Sequence, residues 1–302
     1  MGHAHHDHDH GSATRTFAAV TLINLAYTAL EAGYGFWTDS LALLSDALHN
    51  FGDVLGLGLA WGAAVLAKRP STDRHTYGWR RATLLSPLAN ALLLMAFSGA
   101  LAWEAIRRFS APPHIPAMPV IVVAAIGIVI NLGAAWLLRG GHENDLNKRG
   151  AYLHLVADAG VSLAAVLAGL GMLSFGWAWL DPLTALLISL VVAVGTWGLL
   201  RDSFNATMDA VPQGIEQAEV VAYLSGRPGV TALHHLHIWP LGGNEIALTA
   251  HLVRPDDGDH DAFIKVTLQE LEVRFGINHA TLQIERFDAC VQGLHDAPPQ
   301  QA

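Results

Sequence analysis

The sequence predicts an α-helical membrane protein: six transmembrane helices, then a small C-terminal α+β domain outside the bilayer. Three observations carry that reading. The 302-residue chain is 52% hydrophobic and only 14% charged, against about 25% charged for a soluble domain. Six apolar stretches each approach the roughly 20 helical residues needed to cross hydrocarbon. After Arg201 the apolar character stops, and turn residues, short strands and an amphipathic helix take over.

The spans fall near 16–37, 41–66, 82–105, 117–138, 151–174 and 179–200. Gly52–Gly56 and Gly58–Gly62 have the small-residue spacing that lets helices pack closely. With the N-terminus inside, the inner segments hold Arg15, Lys68, Arg69, Arg74, Arg80, Arg81, Arg139, Lys148, Arg149 and Arg201, whereas the outer ones hold only Arg107 and Arg108. The positive-inside rule therefore puts both termini in the cytoplasm. No basic, cleavable signal peptide precedes the first span, so that span is expected to stay as a helix. The formal net charge of -9 offers no basic surface for nucleic acid. Cys290 is the only cysteine, which leaves no intrachain disulfide and no thiolate metal site.

Domain boundaries follow from the same pattern. Residues 1–14 form a His/Asp-rich tail, too polar to fold alone and suited to gathering metal. The membrane domain occupies 15–201, a linker 202–210, the α+β domain 211–288, and a disordered tail 289–302. Within 211–288, a helix over 213–226 precedes strands at 230–239 and 245–253, joined through Leu241–Gly242–Gly243–Asn244. Phe263, Val266, Leu268, Leu271 and Phe275 recur at helical period over 260–275, Gly276 ends that helix, and a last strand covers 280–287. The order αββαβ suits helices packed on one face of a sheet.

Two membrane stretches carry the same pattern, His-x-x-x-Asp: His49 with Asp53, and His154 with Asp158. Residues four apart share one helix face. Ionisable groups are costly in a bilayer, so such pairs mark a functional site. Two pairs facing each other supply two imidazole nitrogens and two carboxylate oxygens, the tetrahedral, borderline-soft set that Zn2+ prefers. Metal requires neutral imidazole and ionised carboxylate, so protons compete for the same ligands and antiport follows. Each unit of pH difference contributes about 1.4 kcal/mol per proton moved. Asp46, three residues before His49, would orient a ligand or line the path. Glu31, Asn90 and Asn131 would bond between helices.

Longer motifs identify a family resemblance. Ser40-Leu-Ala-Leu-Leu-Ser-Asp-Ala-Leu-His49-Asn-Phe-Gly-Asp53 resembles the second helix of cation diffusion facilitators, and His75-Thr-Tyr-Gly-Trp-Arg-Arg81 the approach to their third. Asn147-Lys-Arg-Gly-Ala-Tyr-Leu-His154-Leu-Val-Ala-Asp158 resembles their fifth helix, and Val230-Thr-Ala-Leu-His234-His-Leu-His-Ile-Trp239 the start of their cytosolic domain. The resemblance covers about residues 12 to 288. It implies a homodimeric exporter of cytosolic divalent metal against protons, with six membrane helices and a ferredoxin-like cytosolic domain. One His and one Asp in both helices implies zinc, often with cadmium.

The resemblance also implies secondary sites. His234, His251 and Glu285 fall where family members hold cytosolic metal. A family position that can be His is Gln283 here, so a fourth ligand is missing unless His3, His5, His6, His8 or His10 supplies it. Strand alternation turns His235 away from His234. Asp73 and His75 fall in a loop that binds metal in some relatives, with Trp79 where those have a further His. Arg81 and Asp209 match a charge pair that links the membrane and cytosolic parts. Three rival readings remain: a broader cadmium, cobalt or nickel exporter, a membrane metal sensor without flux, and an intramembrane metalloenzyme. The last lacks a His-Glu-x-x-His motif and an open coordination position. The style of the sequence suggests a bacterial inner membrane.

Overall fold

The computed structural model describes residues 10–138, 146–256 and 258–287. Six long helices come first: α1 (His10–Thr38), α2 (Leu41–Ala67), α3 (Ala82–Arg108), α4 (Ala117–Leu138), α5 (Leu146–Phe175) and α6 (Leu180–Thr207). Five of them, α2 to α6, are long and apolar enough to cross a membrane by length and composition. Their outward side chains are apolar too. Phe36 is 77% exposed, Trp61 73% and Val129 72%, a surface that belongs in lipid rather than water. Several helices outrun the predicted spans: α1 starts before 16, α5 before 151, and α6 continues past 200. Hydropathy marks the length that crosses lipid, whereas backbone hydrogen bonding continues into polar flanks.

The chain divides into two compact units, one holding residues up to Trp61 together with Ser86–Arg201, the other Gly62–Leu85 together with the residues from Asp202 onward. In the first, Tyr27, Leu43, Val120, Val123 and Ala165 form a buried core between α1, α2, α4 and α5. Close approach depends on glycine. A Cβ on Gly52 would lie 2.2 Å from Leu94 Cδ2, and one on Gly56 2.7 Å from Asn90 Nδ2, so the first predicted small-residue pair receives α3. A Cβ on Gly58 or Gly62 would meet nothing within 4 Å among the described residues.

The N-terminus of α2 is capped from another helix. Asp181 of α6 accepts from Ser40 Oγ at 2.5 Å, Leu41 N–H at 2.8 Å and Ala42 N–H at 3.3 Å. Those N–H groups have no intrahelical partner, and Leu41 and Ala42 are buried. A carboxylate at a helix N-terminus also meets its positive end.

In the second unit, α7 (Gln217–Ser225), β1 (Ala232–Gly242), β2 (Glu245–Val253), α8 (His260–Phe275) and β3 (His279–Glu285) follow in the expected order. The sheet order is β1-β2-β3, antiparallel then parallel. Asp259 caps α8 by accepting from Ala262 N–H at 3.0 Å, and Gly276 closes it at φ 68°. Leu248, Ala250 and Leu252 of β2 bury against Val220 and Leu224 of α7 and Phe263 and Leu271 of α8. His251, between them in sequence, points to the other face of the sheet.

Candidate metal centres

The two His-x-x-x-Asp pairs meet inside the helical unit. His154 Nε2 lies 3.1 Å from Asp53 Oδ2 and 3.5 Å from Asp158 Oδ2. His49 Nε2 lies 3.5 Å from Asp158 Oδ1 and 4.0 Å from Asp53 Oδ2. A tetrahedron with arms of about 2.0–2.1 Å has edges of about 3.3 Å; the separations of 3.1, 3.5 and 3.5 Å lie near that edge, and Asp158 reaches the two imidazoles with different oxygens. His49, Asp53 and His154 each bring a ligand atom within 4.8 Å of the others, and Asp158 touches both imidazoles. The site is closed at one end. The Asp158 side chain is 4% exposed and that of His154 46%.

A polar network stands directly behind. Asp46, fully buried, accepts from Ser162 Oγ at 2.9 Å. Ser162 is one turn beyond Asp158 on α5, and Asp46 is nearly one turn before His49 on α2. This bond therefore ties together the two helices that carry the candidate ligands. Asn50 Nδ2 donates to Asp46 Oδ1 and Glu31 Oε2, both at 3.4 Å. Tyr27 Oη donates to Glu31 Oε1 at 2.9 Å, so α1 joins the same network. Glu31 and Asp46 were legible as intramembrane polar groups. Tyr27, Asn50 and Ser162 were not singled out, because hydroxyls and amides are ordinary in membrane helices. Asn90 abuts Gly56, and the buried Asn131 Nδ2 has no hydrogen-bond partner among the described residues.

A second cluster sits on the open face of the sheet. His234 pairs with His251 across β1 and β2, and His251 with Gln283 across β2 and β3. Glu285 Oε2 lies 3.2 Å from His234 Nε2, and Glu285 Oε1 lies 2.9 Å from His251 Nδ1. These three residues form the other grouping able to hold an ion among the described residues. Gln283 Nε2 donates to Glu285 Oε1 at 2.8 Å, so it steadies the carboxylate.

His235 requires a correction. Strand alternation would turn it away, yet its ring centroid lies 5.3 Å from that of His234 and 5.1 Å from that of His251. The cause is an irregularity in β1: the register shifts between His234 and His237, and His235 adopts φ 51°. A bulge breaks the two-residue period and re-aims a side chain.

The remaining sites are dispersed. Asp73 is exposed, and His75 stacks on Trp79 with ring centroids 4.4 Å apart; neither belongs to a ligand grouping among the described residues. Arg81 Nη2 donates to Asp209 Oδ1 at 2.9 Å, each side chain about half exposed, and such a pair contributes about 0–1 kcal/mol. His3, His5, His6, His8, Cys290 and the 289–302 tail lie outside the described residues. His10 begins α1.

Comparison with known proteins extends these observations. The model for the cation efflux transmembrane domain matches residues 17–206, and that for the cation efflux protein cytoplasmic domain, a dimerisation module, matches 212–287. The cadmium, cobalt and zinc/H(+)-K(+) antiporter of Bacillus subtilis (strain 168) is 33% identical over 285 residues, 93% of this chain and 91% of the relative. The metal cation efflux system protein CzcD of Cupriavidus metallidurans is 36% identical over 285 residues, 93% and 90% of the two chains. The zinc transporter ZitB of Escherichia coli (strain K12) is 34% identical over 289 residues, 93% and 92%.

Proposed function

The chain belongs to the cation efflux, or cation diffusion facilitator, family, and we propose that it exports Zn2+ from the cytoplasm against protons through His49, Asp53, His154 and Asp158. Membership makes it an integral membrane transporter of the proton-antiport type, lipid-embedded and homodimeric, and not an enzyme. The observation that carries the site is the meeting of His49, Asp53 and His154, each with a ligand atom within 4.8 Å of the others, with Asp158 in reach of both imidazoles, all from two helices of the apolar unit. The nitrogens suit Zn2+ over a hard cation.

In this reading α1 is a sixth crossing and the sheet domain is ferredoxin-like. Six crossings put both termini on one side, and the basic loops make that side cytoplasmic. Asp53 is nearer the end of α2 than His49, and His154 nearer the start of α5 than Asp158, so the more exposed pair faces the cytoplasmic end. The site is thus open to cytosolic metal, with Asp158 at its closed end. Loading requires that ligand protons leave; release on the acidic side returns them, because protonated imidazole and carboxyl no longer bind. The boundaries at 14, 201, 210 and 288 separate the His-rich tail, the membrane domain, the linker and the cytosolic domain. The bacterial relatives favour an inner membrane. His234, His251 and Glu285 hold a separate cytosolic zinc ion, and Arg81–Asp209 steadies the junction between α3 and the linker.

A broader cadmium and cobalt exporter is the second reading, favoured by the name of the Bacillus relative. One experiment tests both: metal flux into proteoliposomes under an imposed proton gradient, for the intact chain and for His154→Ala and Asp158→Ala. Zinc movement should collapse with the gradient and in both variants. Gradient-independent binding without flux would replace the exporter with a metal sensor. Equal flux of Cd2+ and Co2+ would select the broader reading.

A further inference from the structure

The apolar span of α2 ends at Ala67, and Lys68 and Arg69 follow at once in a turn. The segment that follows folds back on itself: Thr72 N–H donates to the His75 carbonyl at 3.0 Å, and His75 N–H to the Thr72 carbonyl at 3.1 Å. It lies against the β1–β2 hairpin. Arg80 pairs with Glu245, Gly243 N–H donates to Thr83 Oγ1 at 2.8 Å, and Tyr77 meets His279 edge-on with ring centroids 5.6 Å apart. Gly242 permits the approach, since a Cβ there would lie 2.1 Å from the Arg80 carbonyl oxygen.

Between the loop and the hairpin remains a cavity of about 600 Å³, lined by Lys68, Arg69, Ser71, Thr76, Arg80 and Glu245 among others. Glu245 answers the charge of Arg80. Lys68 and Arg69 have no acidic partner among the described residues. The lining therefore holds two uncompensated positive charges together with the hydroxyls of Ser71 and Thr76. Guanidinium and ammonium groups beside hydroxyls are the donors a phosphate dianion or monoanion recruits. The site begins one residue after a membrane span ends, which is the depth of lipid headgroups.

We propose that this cavity receives the phosphate of an anionic lipid headgroup. A soluble phosphate has the same chemistry but no reason to concentrate at that depth. A bound headgroup would hold the α2–α3 loop, and with it the hairpin, to the membrane surface.

Native mass spectrometry of the full-length protein, titrated in detergent with phosphatidylglycerol or phosphatidylcholine, tests this. Phosphatidylglycerol should bind in preference. At about 1 kcal/mol per basic residue, Lys68→Ala/Arg69→Ala should weaken that binding roughly 25-fold. Arg74→Ala removes a charge from the same loop but not from the lining, and should change binding by no more than the roughly fivefold of one surface charge. The charge-conserving Lys68→Arg/Arg69→Lys variant should retain it, which separates lost contact from misfolding. Full binding in the double alanine variant, or an equal loss in Arg74→Ala, would overturn the pocket. Inorganic phosphate binding that depends on Lys68 and Arg69, without preference between the two lipids, would overturn the lipid assignment.

Discussion

Ser162→Ala tests whether the network behind the four candidate ligands sets their spacing. The hydroxyl donates to Asp46 at 2.9 Å, and both residues are fully buried. A hydrogen bond to a charged group contributes about 1.5–3 kcal/mol, and water cannot replace a donor lost from a sealed position. If the whole effect fell on metal affinity, it would be about 10- to 150-fold, at 1.4 kcal/mol per factor of ten. Part of it must fall elsewhere. The α2–α5 contact also rests on the apolar core around Leu43 and Ala165, which holds the helices near one another without the bond. We expect the half-saturating zinc concentration for flux to rise about tenfold, as for the loss of an outer-shell partner. The maximal rate should change less. Ser162→Thr keeps the hydroxyl and should restore affinity. Zinc uptake measured over a range of concentrations in proteoliposomes reads both quantities. An unchanged half-saturation, with or without a lower melting point, would refute the coupling between this bond and the ligands.

Three further outcomes are expected. Asp181→Ala strips three donors of their acceptor at the buried start of α2, at a cost of about 1–3 kcal/mol, so the detergent-solubilised protein should melt roughly 2–10 °C lower; an unshifted melting curve would contradict the cap. Gln283→His sets an imidazole beside His251 in the cross-strand register and should tighten cytosolic zinc binding by roughly tenfold or more, read by equilibrium dialysis in a His154→Ala background; unchanged affinity would mean that the three-donor cluster is not a zinc site. Lowering the pH from 7 to 6 should weaken zinc binding by up to about tenfold per proton displaced, because only neutral imidazole and ionised carboxylate bind. Calorimetry on a His234→Ala/His251→Ala variant that also lacks residues 1–10 reads the membrane site without the sheet cluster or the tail histidines, and pH-independent affinity would count against proton competition there.

What could be read from the sequence was whatever has a period. The His-x-x-x-Asp pairs are spaced by one helical turn, so membership of a shared face follows from position alone. The bounds of α8 were legible for the same reason, with Gly276 in the left-handed conformation at its end. Interactions that cross between elements were not. Nothing near Asp181 in sequence shows that it caps α2, since its partners are Ser40, Leu41 and Ala42. Ser162 is one serine among many until α5 is set beside α2. His235 shows the complementary failure: the period was read correctly, but a bulge locally cancels it. The misreading falls beside a candidate metal site, and this is physically coherent. A bulge leaves one residue outside the ladder, and here it gathers three imidazoles where a regular strand would present two. A regular sheet displays the alternation that sequence reveals, whereas a ligand cluster needs side chains that alternation would separate. The departure from pattern at His235 is therefore itself a reason to test that residue alongside His234 and His251 in the zinc-binding assay.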